Sequence, residues 1–200
     1  MLEHINQILS DCSQSLERLK KNEHTLNQLS AAAIALAECL NSSGRVFSCG
    51  NGGSMSDAMH FAEELSGRYR ENRRPLAATA ISDPGHITCT GNDFGYEHIF
   101  SRYVEAHAKK GDMLLAISTS GKSKNIILAM EKAQSLGAKV LGLSGHHDTP
   151  MKALSDFYIW TEGTGIYADR VQELHIKCIH ILIELCEMRL FGSKSPNSSQ

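Results

Sequence analysis

Five short apolar runs alternate along this chain with stretches of helical periodicity. The runs are RVFSC (45–49), LAATAIS (76–82), DMLLAIS (112–118), AKVLGLS (138–144) and DFYIW (156–160). Between and after them, helical patterns cover about 54–70, 95–109, 122–136 and 168–190. Runs this apolar, bounded by Gly, Pro, Asp or Ser, suit strands buried on both faces. A helix-length connection lets successive strands run parallel, and right-handed crossovers place helices on both sides of the sheet. The pattern predicts an α/β fold, a three-layer sandwich around a mostly parallel five-stranded sheet. Ahead of it, Leu2, Ile5, Leu9, Cys12, Leu16 and Leu19 recur at helical spacing. Leu26, Leu29, Ala33, Leu36 and Leu40 repeat the pattern, which adds an N-terminal helical hairpin. NSSG at 41–44 ends the second helix, with Gly44 suited to its C-terminal cap. No repeat or linker interrupts 1–191, which reads as one domain, and the polar tail GSKSPNSSQ (192–200) reads as disordered.

Charge and composition narrow the partners. A net charge of −2 offers no electrostatic footprint for nucleic acid or an acidic membrane surface. The apolar runs fall short of the roughly 20 residues that a membrane span needs. The opening MLEHINQILSDCSQSLERLKKN lacks the basic start and apolar stretch of a secretory signal. The six cysteines (12, 39, 49, 89, 178, 186) form no CxxC pair and mostly take apolar positions. They read as buried, reduced thiols of a cytoplasmic protein. Cys49, beside a glycine turn, reads as packing rather than as a nucleophile.

In doubly wound sheets, ligands bind where strands end and helices begin. Two such corners here are unusual. CGNGGS (49–54) lets the backbone turn sharply and approach a ligand closely. STSGKS (118–123) follows a strand directly and opens a helix; Ser118, Thr119, Ser120 and Ser123 supply four hydroxyls. One helix cap needs one hydroxyl. Four of them beside helix N-terminal amides make a phosphate site. Neither corner is a GxxxxGK[ST] or GxGxxG loop, so nucleotide hydrolysis and dinucleotide binding are disfavoured.

The helix that opens at the glycine corner carries His60 and Glu64 at i, i+4, on one face, with Glu63 as the rival carboxylate. Downstream, YADRVQELHIKCIHILIEL (167–185) sets Asp169, Gln172, Glu173, His175 and His180 among apolar residues, and GND (91–93) forms a third polar corner. A carboxylate with imidazoles can transfer protons or hold a metal. A phosphate site beside such a pair, with no evident nucleophile, suits proton shuffling on a phosphorylated sugar.

Taken together, CGNGGS, DAMHFAEEL, GND, ISTSGKS and the YADR–IHILIE helix resemble the sugar isomerase (SIS) domain. Within that superfamily they resemble the phosphoheptose isomerases, over nearly all of 1–190. The resemblance implies a flavodoxin-like SIS sandwich in a homotetramer, with active sites at subunit interfaces. It implies conversion of sedoheptulose 7-phosphate to D-glycero-D-manno-heptose 7-phosphate for the lipopolysaccharide core. By motif, Asn51, Gly52, Gly53, Ser54, Asn92 and Asp93 would contact the substrate, and Ser118, Thr119, Ser120 and Ser123 its phosphate. His60, Glu64, Gln172 and His180 match zinc-binding positions, with one zinc per subunit. Glu64 and His180 also match the acid–base pair, Glu64 and Gln172 would touch substrate too, and Asp169 matches a further active-site position. Lys122 departs from the Asn more usual in that loop and adds a cation to it. Two other readings stay open: an isomerase of another phosphosugar, and a non-catalytic SIS-domain binder of the replication-initiator-associating or sugar-phosphate-sensing type.

Overall fold

The computed structural model describes residues 1–192, so the predicted disorder of the tail lies, except for Gly192, outside the described residues. Five parallel strands form one sheet: β1 (Val46–Gly50), β2 (Ala78–Ala80), β3 (Met113–Ser118), β4 (Lys139–Ser144) and β5 (Phe157–Trp160). Their spatial order is β2-β1-β3-β4-β5, the flavodoxin-like order with its switch point between β1 and β3. The central runs form strands because their side chains are needed on both faces, whereas the edge strand β2 leaves Thr79 exposed. In β3, Met113, Leu115 and Ile117 face one apolar core while Leu114 and Ala116 face the other.

The first core lies under α2 (Glu23–Asn41), α3 (Gly53–Ser66) and α8 (Asp169–Phe191). Leu29 and Leu36 of α2, Phe61 and Leu65 of α3, and Ile179 and Ile183 of α8 fill it. The second lies under α5 (Ile99–His107), α6 (Lys124–Ser135) and the short α7 (Pro150–Ala153). The three layers and the parallel sheet agree with the sequence pattern. The first helix, α1 (Leu2–Lys21), buries only Ser15 and Leu19, whereas α2 is part of the main core.

Two local expectations are corrected. The residues after α2 turn at Ser43, whose φ is 62°, and not at Gly44. Gly44 is instead needed because a Cβ there would press on the Gly111 carbonyl at 2.6 Å. GND is also no open corner: the helix that follows β2, α4 (Pro84–Phe94), contains it rather than ending before it. Asp83 caps α4 by accepting from the His86 amide at 2.7 Å, and Pro84 supplies its preset first turn. Gly, Thr and Cys inside this helix weaken the periodic signal, but the Asp-Pro start was there to be read. A 3-10 turn, Tyr96–His98, then leads into α5.

Candidate active site

Both predicted corners lie at the C-terminal ends of adjacent strands, β1 and β3, at the switch point of the sheet. Asn51, Gly52 and Gly53 turn the chain from β1 into α3, with Gly52 at φ 54° as the cap residue and Ser54 buried in the first turn. Gly53 has a steric reason: a Cβ there would collide with the Gln172 amide arriving from α8. In the second corner, the Ser118 hydroxyl lies 3.1 Å from that of Ser123 and 3.4 Å from that of Ser120. Ser123 holds the cap position of α6 but makes no side-chain cap bond, so its hydroxyl faces the loop instead. Thr119 completes the loop, its carbonyl accepting from the Gly145 amide at 3.0 Å. Gly121, at φ 64°, adopts a backbone that side chains disfavour and leaves no room for a Cβ against Thr149. Asn51 and Ser123 line one cleft of about 360 Å³, so the two corners face the same space.

His60, Glu64 and His180 meet roughly two to three turns further along α3. Helices α3 and α8 lie side by side, which sets His60 Nε2 2.9 Å from His180 Nε2. Glu64 reaches the same His60 nitrogen at 3.6 Å, and Glu63 takes the other ring nitrogen, Nδ1, at 3.1 Å. The rival carboxylates thus hold different atoms of one imidazole, and Glu63 fixes the ring so that Nε2 faces His180 and Glu64. Burial, helped by His60 and nearby cations, holds the His180 imidazole below its ordinary range. Imidazole and carboxylate donors of this kind suit zinc; Glu64 and His180 each approach His60 Nε2, and His180 stands outside the tight cluster. Donor atoms of His60, Glu63 and Glu64 lie within 4.8 Å of one another.

Other predicted residues stand apart. Helix α8 is unbroken from Asp169 to Phe191. Gln172 and His180 are therefore separated by roughly 12 Å along its axis, too far for both side chains to reach one ion from the same chain. Gln172 instead meets the first turns of α3, beside Gly53 and the buried Asp57, whose carboxyl burial raises to about 6 against the opposing Gln172 amide and His60. Asn92 and Asp93 are exposed on the last turn of α4, bonded to each other at 2.7 Å. Asp169 is exposed and bonds the Arg170 amide at 2.9 Å. Cys49 is buried, and burial pushes its thiol far up, which removes it as a nucleophile.

Sequence reasoning missed Arg73. Its buried guanidinium pairs with Glu187 of α8 at 2.8 Å and donates to the Glu64 carbonyl at 2.7 Å. It ties the end of α3, and with it Glu64, to α8. Nothing in the polar run ENRRP distinguished it from its exposed neighbours.

Comparison with known proteins agrees with this geometry. A family model, the SIS domain, matches residues 8–145. The phosphoheptose isomerase of Enterobacter sp. (strain 638) is 53% identical over 182 residues, 91% of this chain and 94% of that one. Among solved structures, the phosphoheptose isomerase of Neisseria gonorrhoeae superposes with a TM-score of 0.84 at 32% identity, covering 93% of this chain and 98% of that one. That of Francisella tularensis gives 0.87 at 31%, covering 94% and 98%. With its parallel sheet, its two facing corners and these relatives, the chain belongs to the SIS domain family, among the phosphoheptose isomerases.

Proposed function

We propose that the chain is an aldose–ketose isomerase that converts sedoheptulose 7-phosphate to D-glycero-D-manno-heptose 7-phosphate. The observation that carries this reading is the convergence of His60, Glu64 and His180 next to a helix whose first turn is one of two facing anion corners. The relatives' shared name sets the substrate class. The reaction moves a carbonyl from C2 to C1 through an enediol(ate). A base must take the C1 proton and return it to C2, while the oxygens exchange a proton of their own. Glu64 is placed as the carbon base, and His180, held neutral by burial, moves the proton between the oxygens. The hydroxyls of Ser118, Ser120 and Ser123, with Thr119, hold the phosphate, and Asn51 to Ser54 hold the adjoining sugar.

His60, Glu64 and His180 would hold a zinc ion, with Gln172 of a neighbouring subunit as the fourth ligand. Bound there, zinc polarises the substrate's carbonyl oxygen. Asn92, Asp93 and Asp169, exposed here, would approach the substrate across that same subunit boundary in a homotetramer. The setting is the cytoplasm and the heptose branch of lipopolysaccharide core synthesis; among the described residues, no helix is long and apolar enough to cross a membrane.

The test is turnover of sedoheptulose 7-phosphate by the zinc-supplied protein, with and without a chelator. Turnover that the chelator suppresses is expected. Binding of the sugar without any turnover would replace this reading with the non-catalytic binder. The presence and convergence of the full acid–base set speak against that alternative.

A further inference from the structure

A polar network links the two corners through a residue outside both. Asn125, in the first turn of α6, is 3% exposed. Its Oδ1 accepts from the Ile126 backbone amide at 3.0 Å. A backbone N–H can only donate, so that contact identifies the oxygen and turns the Asn125 NH2 the other way. The NH2 donates to Asn51 Oδ1 at 2.8 Å, and Asn51 Nδ2 donates back to Asn125 Oδ1 at 3.0 Å. The two amides form a closed pair. The hydroxyl of Tyr96, from the 3-10 turn, donates to the same Asn51 oxygen at 3.0 Å.

Counting donors and acceptors gives the consequence. Both acceptor sites of Asn51 Oδ1 are filled, by Asn125 and Tyr96, and one of the two Nδ2 hydrogens is used. What Asn51 still offers the cleft is a single N–H. We infer that Asn125 is a positioning residue for the sugar-phosphate site, acting through Asn51. It fixes the Asn51 amide so that the glycine corner presents a donor, never an acceptor, and so selects an oxygen acceptor on the substrate. Tyr96, 57% exposed at the rim, closes the same arrangement from outside. The inference rests on reading the glycine corner as part of the substrate site. It adds how that corner is oriented and ties it to the phosphate loop one helix turn away.

The test is a double-mutant cycle on KM for sedoheptulose 7-phosphate, with a crystal structure beside it. Asn125→Ala should raise KM about tenfold, as for one oriented hydrogen bond lost, with kcat within about threefold. In an Asn51→Ala background the same change should add less than about twofold. Tyr96→Phe, at an exposed hydroxyl that leaves the buried pair intact, should raise KM about threefold, and this too should vanish without Asn51. Equal factors in both backgrounds overturn the proposal. So does a crystal structure of Asn125→Ala, or of Asn125→Ser should the first not fold, with the Asn51 amide still held in its present orientation. The structural outcome stands whether or not the sugar turns over, whereas a wild-type protein without turnover counts against the isomerase reading alone.

Discussion

Within the loop after β3, the hydroxyls of Ser120 and Ser123 lie within 3.4 Å of Ser118 Oγ, and none of the three is consumed in capping α6. Neutral donors of this kind contribute about 0.5–1.5 kcal/mol each. Ser120→Ala should therefore raise KM by roughly two- to tenfold with kcat little changed, and sulfate should compete with substrate. An unchanged KM would remove Ser120 from the phosphate site. A second residue-scale consequence concerns His175, fully buried, with only a weak approach to the Ser144 backbone to offset the loss of water around its ring. Burial lowers its pKa from 6.5 to about 4. Between those values the unfolded chain binds the proton and the folded one does not, so stability falls as pH drops from 6.5 toward 4, by up to about 3 kcal/mol. Urea unfolding across that window should show a shallower pH slope in His175→Leu than in wild type, and identical slopes would contradict this. Ser118–Ser123 and the His60–Glu64 pair were legible in the sequence because local spacing creates them. The Asn51–Asn125 amide pair was not, since 74 residues separate its members and only the β1–β3 pairing brings them together.

Helices α3 and α8 carry the proposed proton-transfer residues, and Arg73 clamps the two helices together. Its guanidinium is 5% exposed, pairs with Glu187 at 2.8 Å, and donates to the carbonyls of Glu64 at 2.7 Å and Gly67 at 2.8 Å, at the end of α3. Removing it strands a buried carboxylate and two helix-end carbonyls. Arg73→Ala should cost about 3–5 kcal/mol and lower the melting temperature by roughly 10 °C. A loss below about 2 °C would show that solvent replaces the clamp. At this scale the strands were readable because parallel strands are apolar on both faces. The full extent of helix α4 was not, because its glycines and threonines blur the 3.6-residue period and leave only the Asp83–Pro84 start as a sign. Gly44 illustrates the same limit: its role is a close approach to Gly111, a contact between distant segments that local turn chemistry does not encode.

Over the whole molecule, apolar surface is left where α1 faces outward: Leu2, Ile5, Ile8, Leu9 and Leu16 are exposed, as are Ile166 and Tyr167 just before Asp169. Such patches mark contacts with other chains, in keeping with the proposed shared site. Because one continuous helix keeps Gln172 and His180 apart, the proposed zinc set, if it includes both, would draw on two subunits. Gln172→Ala and His180→Ala subunits, each inactive alone, should regain part of the wild-type activity in mixed oligomers. No recovery in confirmed hybrids would contradict the sharing. The central claim, that Glu64 carries a proton between two sugar carbons, has its most direct test in solvent exchange. Sedoheptulose 7-phosphate should be incubated in D2O with wild-type and Glu64→Gln proteins, and deuterium at C1 of the ketose and C2 of the aldose followed by NMR. Wild type should label both carbons, and Glu64→Gln should do so about 10² times more slowly or less while still binding the sugar phosphate. Labelling by Glu64→Gln at the wild-type rate, or none by the zinc-supplied wild type, would contradict the account.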